Sequence, residues 1–364
     1  MKIKFFPLFL LIHLGCSTTQ INTSGNVLPA TSLEPYGRYI WNDQKKLELI
    51  SSGVHFGFSF YGNSCSIYAT LPETMGHNYL QYELDGVFVK RIKLEAGSKE
   101  PIVISAGTTG KHTVWIYKAT EAHTGAIVIE QVTGKNIQAI KPKNAPLIEF
   151  IGNSITCGAA ADPSEVPCGS GAYHDQHNAY YAYGPRVARA LGTHFILSSV
   201  SGIGMYRNWN SDGPNMLQVY EKTGFHEGSL HQWNFSAYSP DIVSIALGTN
   251  DLSNGDGKKE RLPFDSSQFV NNYIRFVQLV HSKYPKAQVA LLSSAMVHDE
   301  KRTVLENCLA AVKQHADSLH TTAKPLALYL FKPMQARGCS GHPNVEDHAM
   351  LANELVPFFR ALLP

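Results

Sequence analysis

From about residue 37 to residue 140, large apolar residues alternate with small or polar ones in short segments separated by turn-forming residues. This alternation has the two-residue period of a half-buried strand, and Asp85-Gly86 stands where a tight hairpin turn is expected. No convincing helical pattern interrupts the region. The pattern predicts an all-β sandwich of the jelly-roll type, with strands at 54–60, 79–84, 87–92, 112–117 and 126–130.

Beyond residue 143, compact apolar runs alternate with segments of helical period. Strands that alternate with helices indicate a parallel sheet covered by helices on both faces. The change of character at Lys141-Pro142-Lys143 predicts two domains, an all-β domain at 21–142 and an α/β domain at 143–364. The second domain is predicted to have strands at 147–151, 195–197, 241–247, 288–292 and 326–330, and helices at 179–191, 269–281, 304–315 and 345–363.

Residues 1–20 have the pattern of an export signal. Lys2 and Lys4 precede an apolar stretch at 5–14 that is too short for a stable membrane span. Leu14-Gly15-Cys16 resembles a bacterial lipobox, although His13 stands where that motif usually has Leu. We therefore expect a periplasmic or outer-membrane lipoprotein anchored through Cys16, with simple cleavage and secretion as the alternative.

Composition narrows the possible partners. The 364 residues are 44% hydrophobic and 16% charged, as in a folded globular protein. Without the two lysines of the leader, the 31 basic residues become 29, which equals the number of acidic residues. The chain has no basic tract that could follow a phosphate backbone, so nucleic acid is excluded as an expected partner. The oligomeric state stays open.

Five of the six cysteines remain after Cys16 is assigned to the lipid. An exported protein can keep disulfides, and Cys157 and Cys168 bracket a short loop, which makes them the favoured pair. We expect no metal site, because the chain has no Cys-x-x-Cys pair and no paired His at helical spacing. No cofactor is expected either.

Four short polar blocks follow predicted strands of the second domain, and each is weak as a signal by itself. Ser154, in Gly152-Asn153-Ser154, lies where a nucleophile is exposed at the rim of a sheet. Gly202 and Asn250 could supply hydrogen-bond donors to an oxyanion, and His342 could take a proton from Ser154. As plain turn or helix-capping residues, each would need no function. Their joint occurrence at strand ends predicts one catalytic site.

The order Ser, Gly, Asn, His over residues 147–364 resembles the SGNH, or GDSL-like, hydrolase superfamily. With the predicted jelly-roll domain in front, the mature chain resembles carbohydrate esterase family 2, whose members deacetylate xylan, glucomannan and related glycans. The resemblance implies a flavodoxin-like α/β/α fold, Ser154 as nucleophile and His342 as general base. It also implies an oxyanion hole made of the Ser154 and Gly202 N–H groups and the Asn250 amide.

Two positions depart from the superfamily pattern. Asn153 replaces the common Asp, which keeps a short polar side chain. Cys339 stands three residues before His342, where many members have the Asp that orients the imidazole. Members of carbohydrate esterase family 2 include Ser–His dyads in which a main-chain carbonyl holds the ring. We expect the same arrangement here.

Tyr206, Asn208 and Trp209 follow the Gly202 block and are candidates for a sugar-binding platform, although Trp209 could equally pack under its own loop. Trp233 is a weaker candidate. Acetylated polysaccharide or oligosaccharide is the expected substrate. Two alternatives stay open: an esterase acting on peptidoglycan or lipid esters, and a carbohydrate-binding protein without catalysis.

Overall fold

A computed structural model describes residues 26–141, 143–319 and 324–364. The predicted export signal at 1–20, the lipid attachment at Cys16 and the boundary residue Pro142 lie outside the described residues. Within the described ranges, no helix is both long enough and apolar enough to cross a bilayer.

The N-terminal domain is one antiparallel sheet of nine strands in the order β2-β3-β8-β4-β7-β5-β6, with β1 beside β8 and β9 beside β4. The strands are β1 Val27–Pro29, β2 Tyr39–Trp41, β3 Leu47–Leu49, β4 His55–Thr70, β5 His77–Leu84, β6 Val87–Glu95, β7 Ile102–Lys118, β8 Ile127–Thr133 and β9 Gln138–Ala139.

The long strands β4 and β7 are the centre of this domain. They pair along most of their length, with a register shift between Gly62 and Ser64. The two halves of β4 have different second neighbours, β9 beside the first half and β8 beside the second. Phe56, Phe58 and Phe60 alternate along the first half and are fully buried in the apolar core. The predicted strands at 54–60 and 112–117 are therefore parts of two longer strands.

The C-terminal domain alternates strands and helices. Its elements are β10 Leu147–Gly152, α1 Ser154–Cys157, α2 Tyr183–Leu191, β11 His194–Ser199, α3 Met216–Val219, β12 Ile242–Ala246, α4 Thr249–Leu252, α5 Ser266–Lys283, β13 Gln288–Leu292, α6 Asp299–Leu319, β14 Ala327–Tyr329 and α7 Val345–Leu362. The helix predicted at 179–191 begins later, at Tyr183, because Ala179–Tyr181 forms a separate 3-10 turn.

The second sheet is parallel, with the order β11-β10-β12-β13-β14. Counted from the first strand of this domain, that is the 2-1-3-4-5 order of flavodoxin-like folds. All six residues of β10 are buried, as expected for a strand covered on both faces. Gly152 pairs with Ser199 and with Ala246, so the carboxyl ends of three neighbouring strands meet at one edge. The predicted fold classes of both domains are confirmed.

Buried polar side chains join the two domains. Gln81 of β5 donates to the Asn178 side chain at 2.6 Å, and Arg91 of β6 donates to the His177 carbonyl oxygen at 2.9 Å. Glu83 accepts a hydrogen bond of 2.6 Å from the Tyr180 hydroxyl. A hinge motion at this junction would leave buried polar groups unpaired, at about 1–3 kcal/mol each. The junction is therefore held in one arrangement.

The predicted Cys157–Cys168 disulfide is wrong. Cys168 pairs with Cys339, which lies 171 residues further along the chain. Cys157 is buried at the end of α1, where its thiol donates to the Ser199 hydroxyl at 3.1 Å. Among the described residues, three cysteines are free and buried: Cys65, Cys157 and Cys308. The bond ties a loop near the N-terminal domain to the segment that carries His342.

We predict that the Cys168→Ala/Cys339→Ala double variant unfolds at a lower temperature than the wild type. Closing so long a loop restricts the unfolded chain, and such bonds contribute about 2–5 kcal/mol. Thermal unfolding with and without reductant measures the effect. Reductant should lower the midpoint of the wild type and leave the double variant unchanged. A wild-type midpoint that does not respond to reductant would contradict the pairing.

Candidate active site

Ser154 is the first residue of α1, directly after the buried strand β10. Asn153 caps this short helix, because its side-chain oxygen accepts the N–H of Ile155 at 3.0 Å. Gly152 has no room for a side chain, since a Cβ there would lie 3.2 Å from the Ala246 carbonyl oxygen and nearer still to Thr156. Ser154 is 7% exposed. The turn therefore presents the hydroxyl at the rim of the sheet.

Gly202 lies in the loop after β11 and has a left-handed backbone, with φ of +76°. Its carbonyl oxygen accepts the N–H of Trp209 at 2.8 Å. Its own N–H donates to no carbonyl in the described part of the chain. A side chain is disfavoured at this backbone angle, and a Gly N–H can approach a ligand closely. The Gly202 N–H is thus available as an oxyanion donor.

Asn250 begins the short helix α4 together with Thr249 and is 8% exposed. Its Nδ2 atom donates to the Ile203 carbonyl oxygen at 2.7 Å, next to Gly202. An amide nitrogen carries two hydrogens, so this bond fixes the side chain and leaves the second hydrogen for another acceptor. The neighbouring Asp251 accepts the main-chain N–H groups of Met205 and Tyr206 and so fixes the same loop.

His342 is held by its own turn. Its Nδ1 atom lies 3.1 Å from the Ser340 carbonyl oxygen, and Ser340 has the left-handed backbone that bends the turn. In the described ranges, no carboxylate oxygen lies within 4 Å of the ring nitrogens. Asp347 instead accepts from Arg337 and from the Asn344 N–H. The expectation that a main-chain carbonyl orients this imidazole is confirmed.

Tyr173 is a residue of the site that the sequence analysis missed. Its hydroxyl lies 3.4 Å from the Nε2 atom of His342 and 3.4 Å from the Ser201 hydroxyl. The ring is 40% exposed. It follows Cys168 on the loop that the disulfide ties to Cys339. Tyr173 and His342 are 169 residues apart and meet only in the folded chain, so no local sequence motif indicates the contact.

Glu121 is the second missed residue, and it comes from the N-terminal domain. Its carboxylate is fully buried and accepts the Ser201 N–H at 2.6 Å, the Ser201 hydroxyl and the His177 ring at 2.9 Å. Burial alone would raise the pKa of Glu121, but hydrogen bonds from His123 and His177 hold that pKa well below its usual range. A permanent negative charge therefore fixes the residue before Gly202.

The pKa of His342 is lowered, chiefly by burial. The Cys339 and Ser340 main chains oppose this shift, and so does the charge of Glu121. The imidazole is therefore neutral at pH 7 and able to accept a proton. Glu121 supplies at a distance part of the negative field that a triad carboxylate supplies by contact.

The three predicted platform residues lie in different environments. Trp209 is 44% exposed and lines a groove of about 380 Å³ beside Gly202. Asn208 is buried and uses its amide on Gly204 and Gly213 within the loop. Tyr206 packs edge-on against Phe264 and Phe269, and its hydroxyl accepts the Asp265 N–H. Trp233 is buried against Tyr238 and Arg38, away from the groove.

The turns that carry Ser154, Gly202 and Asn250 follow neighbouring strands of a flavodoxin-like parallel sheet, and His342 contacts Tyr173 beside the Gly202 loop. This arrangement is that of the α/β/α esterases. The chain belongs to the GDSL-like lipase/acylhydrolase family, whose model matches residues 150–349. Residues 36–142 match the N-terminal domain of carbohydrate esterase 2. The resemblance to carbohydrate esterase family 2 is thereby confirmed.

Relatives agree with this assignment. An acetylxylan esterase / glucomannan deacetylase of Cellvibrio japonicus is 27% identical, with 98% of each chain covered. A Corynascus thermopiles carbohydrate esterase family 2 enzyme with a carbohydrate binding domain is 27% identical, with a TM-score of 0.75 over 91% of this chain and 99% of that one. A family two carbohydrate esterase from Clostridium thermocellum, solved with cellohexaose, shares the fold at 24% identity, with a TM-score of 0.77 over 90% and 98% of the chains.

The lowered pKa of His342 predicts a pH dependence. A general base must be neutral, and the neutral fraction falls as the pH drops through the pKa. Because burial lowers that pKa from 6.5, the acid limb of kcat/KM for an acetyl ester should have its midpoint below pH 6.5. A pH profile on an aryl acetate measures this midpoint. A midpoint at or above 6.5 would contradict the environment described for the ring.

Glu121→Gln should lower turnover by about 10²-fold, because the Ser201–Gly202 segment loses its anionic anchor and small displacements of donors have effects of that size. The acid limb should also move to lower pH, since the Glu121 charge raises the pKa of His342. Glu83→Gln is the matched control, a buried carboxylate at the same junction that contacts Tyr117 and Tyr180 instead. An unchanged acid limb in Glu121→Gln would limit Glu121 to a structural role.

Proposed function

We propose that this chain removes O-acetyl groups from a plant polysaccharide such as xylan or glucomannan, by a Ser154–His342 dyad and an acetyl-enzyme intermediate. The observation that carries the proposal is the His342 ring, neutral and held through Nδ1 by the Ser340 carbonyl oxygen. The name of the Cellvibrio japonicus relative, an acetylxylan esterase / glucomannan deacetylase, supports the choice of substrate.

In the first step, Ser154 attacks the acetyl carbonyl carbon while Nε2 of His342 takes the hydroxyl proton. The carbonyl π electrons move to oxygen, and the N–H groups of Ser154 and Gly202 and the Asn250 amide donate to this oxyanion. A preorganised donor of this kind is worth about 10²–10³ in turnover. His342 then returns its proton to the sugar oxygen as the C–O bond breaks, which leaves acetyl-Ser154.

Deacetylation repeats these steps with water. His342 removes a proton from the attacking water, the same donors hold the second oxyanion, and the Ser154 oxygen leaves with the proton from His342. Nδ1 stays bonded to the Ser340 carbonyl throughout, so the ring keeps the tautomer in which Nε2 is the base. Acetate is released and the hydroxyl of Ser154 is restored.

The groove beside Gly202 supports a sugar substrate. Trp209 exposes its ring along the wall, where the apolar face of a pyranose can stack. Ser201 and Tyr173 add hydroxyl groups near His342, with hydrogen-bonding capacity that suits a sugar. The export signal predicted at residues 1–20 fits the same substrate class, because polysaccharides are encountered outside the cytoplasm. The Cys168–Cys339 disulfide is consistent with an oxidising compartment.

Acetate release from acetylated xylan and glucomannan oligosaccharides tests the proposal. We expect kcat/KM on an aryl acetate at least about tenfold above that on the octanoate, as a small acyl pocket would give. Ser154→Ala should lose several orders of magnitude in turnover while Ser64→Ala, in the exposed part of β4, stays at the wild-type level. Preference for octanoate, or deacetylation of peptidoglycan alone, would contradict the substrate. A Ser154→Ala variant with a tenth of wild-type activity would contradict the mechanism.

A further inference from the structure

His77, His174 and Asp175 meet at the junction of the two domains, apart from the catalytic groups. His77 begins β5 of the N-terminal sheet, whereas His174 and Asp175 lie in the 3-10 turn Tyr173–Gln176 of the other domain. One nitrogen from each ring and one Asp175 oxygen all lie within 4.8 Å of one another. Nε2 of His77 contacts Oδ1 of Asp175 directly. The ring centroids of His77 and His174 are 4.6 Å apart.

The Nε2 atom of His174 is buried and has no hydrogen-bond partner among the described residues. A buried polar atom without a partner costs about 1–3 kcal/mol, so native structures rarely leave one unexplained. The His174 ring lies beside a second imidazole and a carboxylate, which are both ligand types for a divalent cation. A cation bound through Nε2 would use the lone pair that has no partner among the described residues.

The chemistry of the three groups suits a transition metal. Two imidazole rings and one carboxylate are a common ligand set for zinc, and a site with three protein ligands keeps a fourth position for water.

Outer contacts hold the carboxylate in place. Oδ2 of Asp175 accepts the Ala172 N–H at 2.7 Å, and Oδ1 accepts the Tyr79 hydroxyl at 3.0 Å. Such second contacts fix the orientation of ligands at metal sites. Arg91 is the nearby cation that works against metal binding, and its guanidinium is paired with Glu165 at 3.5 Å. Glu95 is the register partner of His77 on β6, and its carboxylate is paired with a second cation, Lys93, at 2.7 Å.

We propose that His77, His174 and Asp175 form a structural site for Zn²⁺ or a similar divalent transition metal, with water in the fourth position. No metal site was expected from the sequence, which has no Cys-x-x-Cys pair and no paired His at helical spacing. The three proposed ligands come from two domains, so no local spacing indicates them. The site would tie the turn Tyr173–Gln176 to the N-terminal sheet. Since Tyr173 contacts His342, the metal would fix one wall of the catalytic groove without taking part in the reaction.

Metal uptake by the purified full chain tests this site independently of activity. After removal of metals with a chelator, Co²⁺ is added and the visible absorption of tetrahedral cobalt is followed, and Zn²⁺ is then titrated against a chromophoric chelator. We expect one equivalent of either metal per chain and a rise in the thermal midpoint with Zn²⁺. His174→Gln removes the nitrogen that lacks a partner and leaves the His77–Asp175 contact intact, so this variant should fold.

His174→Gln should lose at least tenfold in Zn²⁺ affinity and lose the thermal shift. His315→Gln, an exposed histidine on α6, is the matched control and should keep both. His77→Gln is a second variant, expected to lose the cobalt absorption. Equal uptake by the wild type and His174→Gln, or no saturable uptake by the wild type, would overturn the proposal and leave a metal-free hydrogen-bonded pair of His77 and Asp175.

Discussion

The buried carboxylate of Glu121 is the constraint on which the active site depends. A charge removed from water has to be compensated by hydrogen bonds, and here the partners are Ser201 and His177 of the other domain. Ser201 precedes Gly202, so the bonds that stabilise the charge also fix the loop that we propose as an oxyanion donor. Lys118 is fully buried next to Glu121 and donates a hydrogen bond to the Glu121 main-chain carbonyl oxygen. The N-terminal domain thus contributes a buried charge to the candidate active site.

The same arrangement would let His342 act as the proposed general base without a neighbouring acid. A triad carboxylate has two roles: it orients the imidazole and it stabilises the imidazolium. The Ser340 carbonyl oxygen performs the first role, because it fixes the tautomer and orientation of the ring. The second role, stabilisation of the imidazolium, would fall to the Ser340 carbonyl dipole and to the charge of Glu121 at longer range. Because the low-dielectric surroundings screen that charge weakly, it acts over a distance at which a surface carboxylate would contribute little.

The features that could be predicted from the sequence are those with a local signal. The parallel sheet was predictable because its strands alternate with helices, and the Ser340 carbonyl contact of His342 because position 339 is not an acid. Contacts between residues distant along the chain could not be predicted. Nothing in the spacing of Cys168 and Cys339 indicates a bond, and a nearer cysteine suggested the wrong one. Glu121 has no motif around it, so its role follows only from the way the two domains pack.

The most direct test of the dyad is the rate at which an organophosphonate labels the protein. The reagent captures the serine that an imidazole activates, and peptide mapping identifies it. We predict one equivalent of label, on Ser154, with labelling at least about 10³-fold slower in His342→Ala. Labelling should be unaffected in Asp347→Asn, which changes an acid in the first turn of α7. Label on any other residue, or equal rates in the wild type and His342→Ala, would contradict the account.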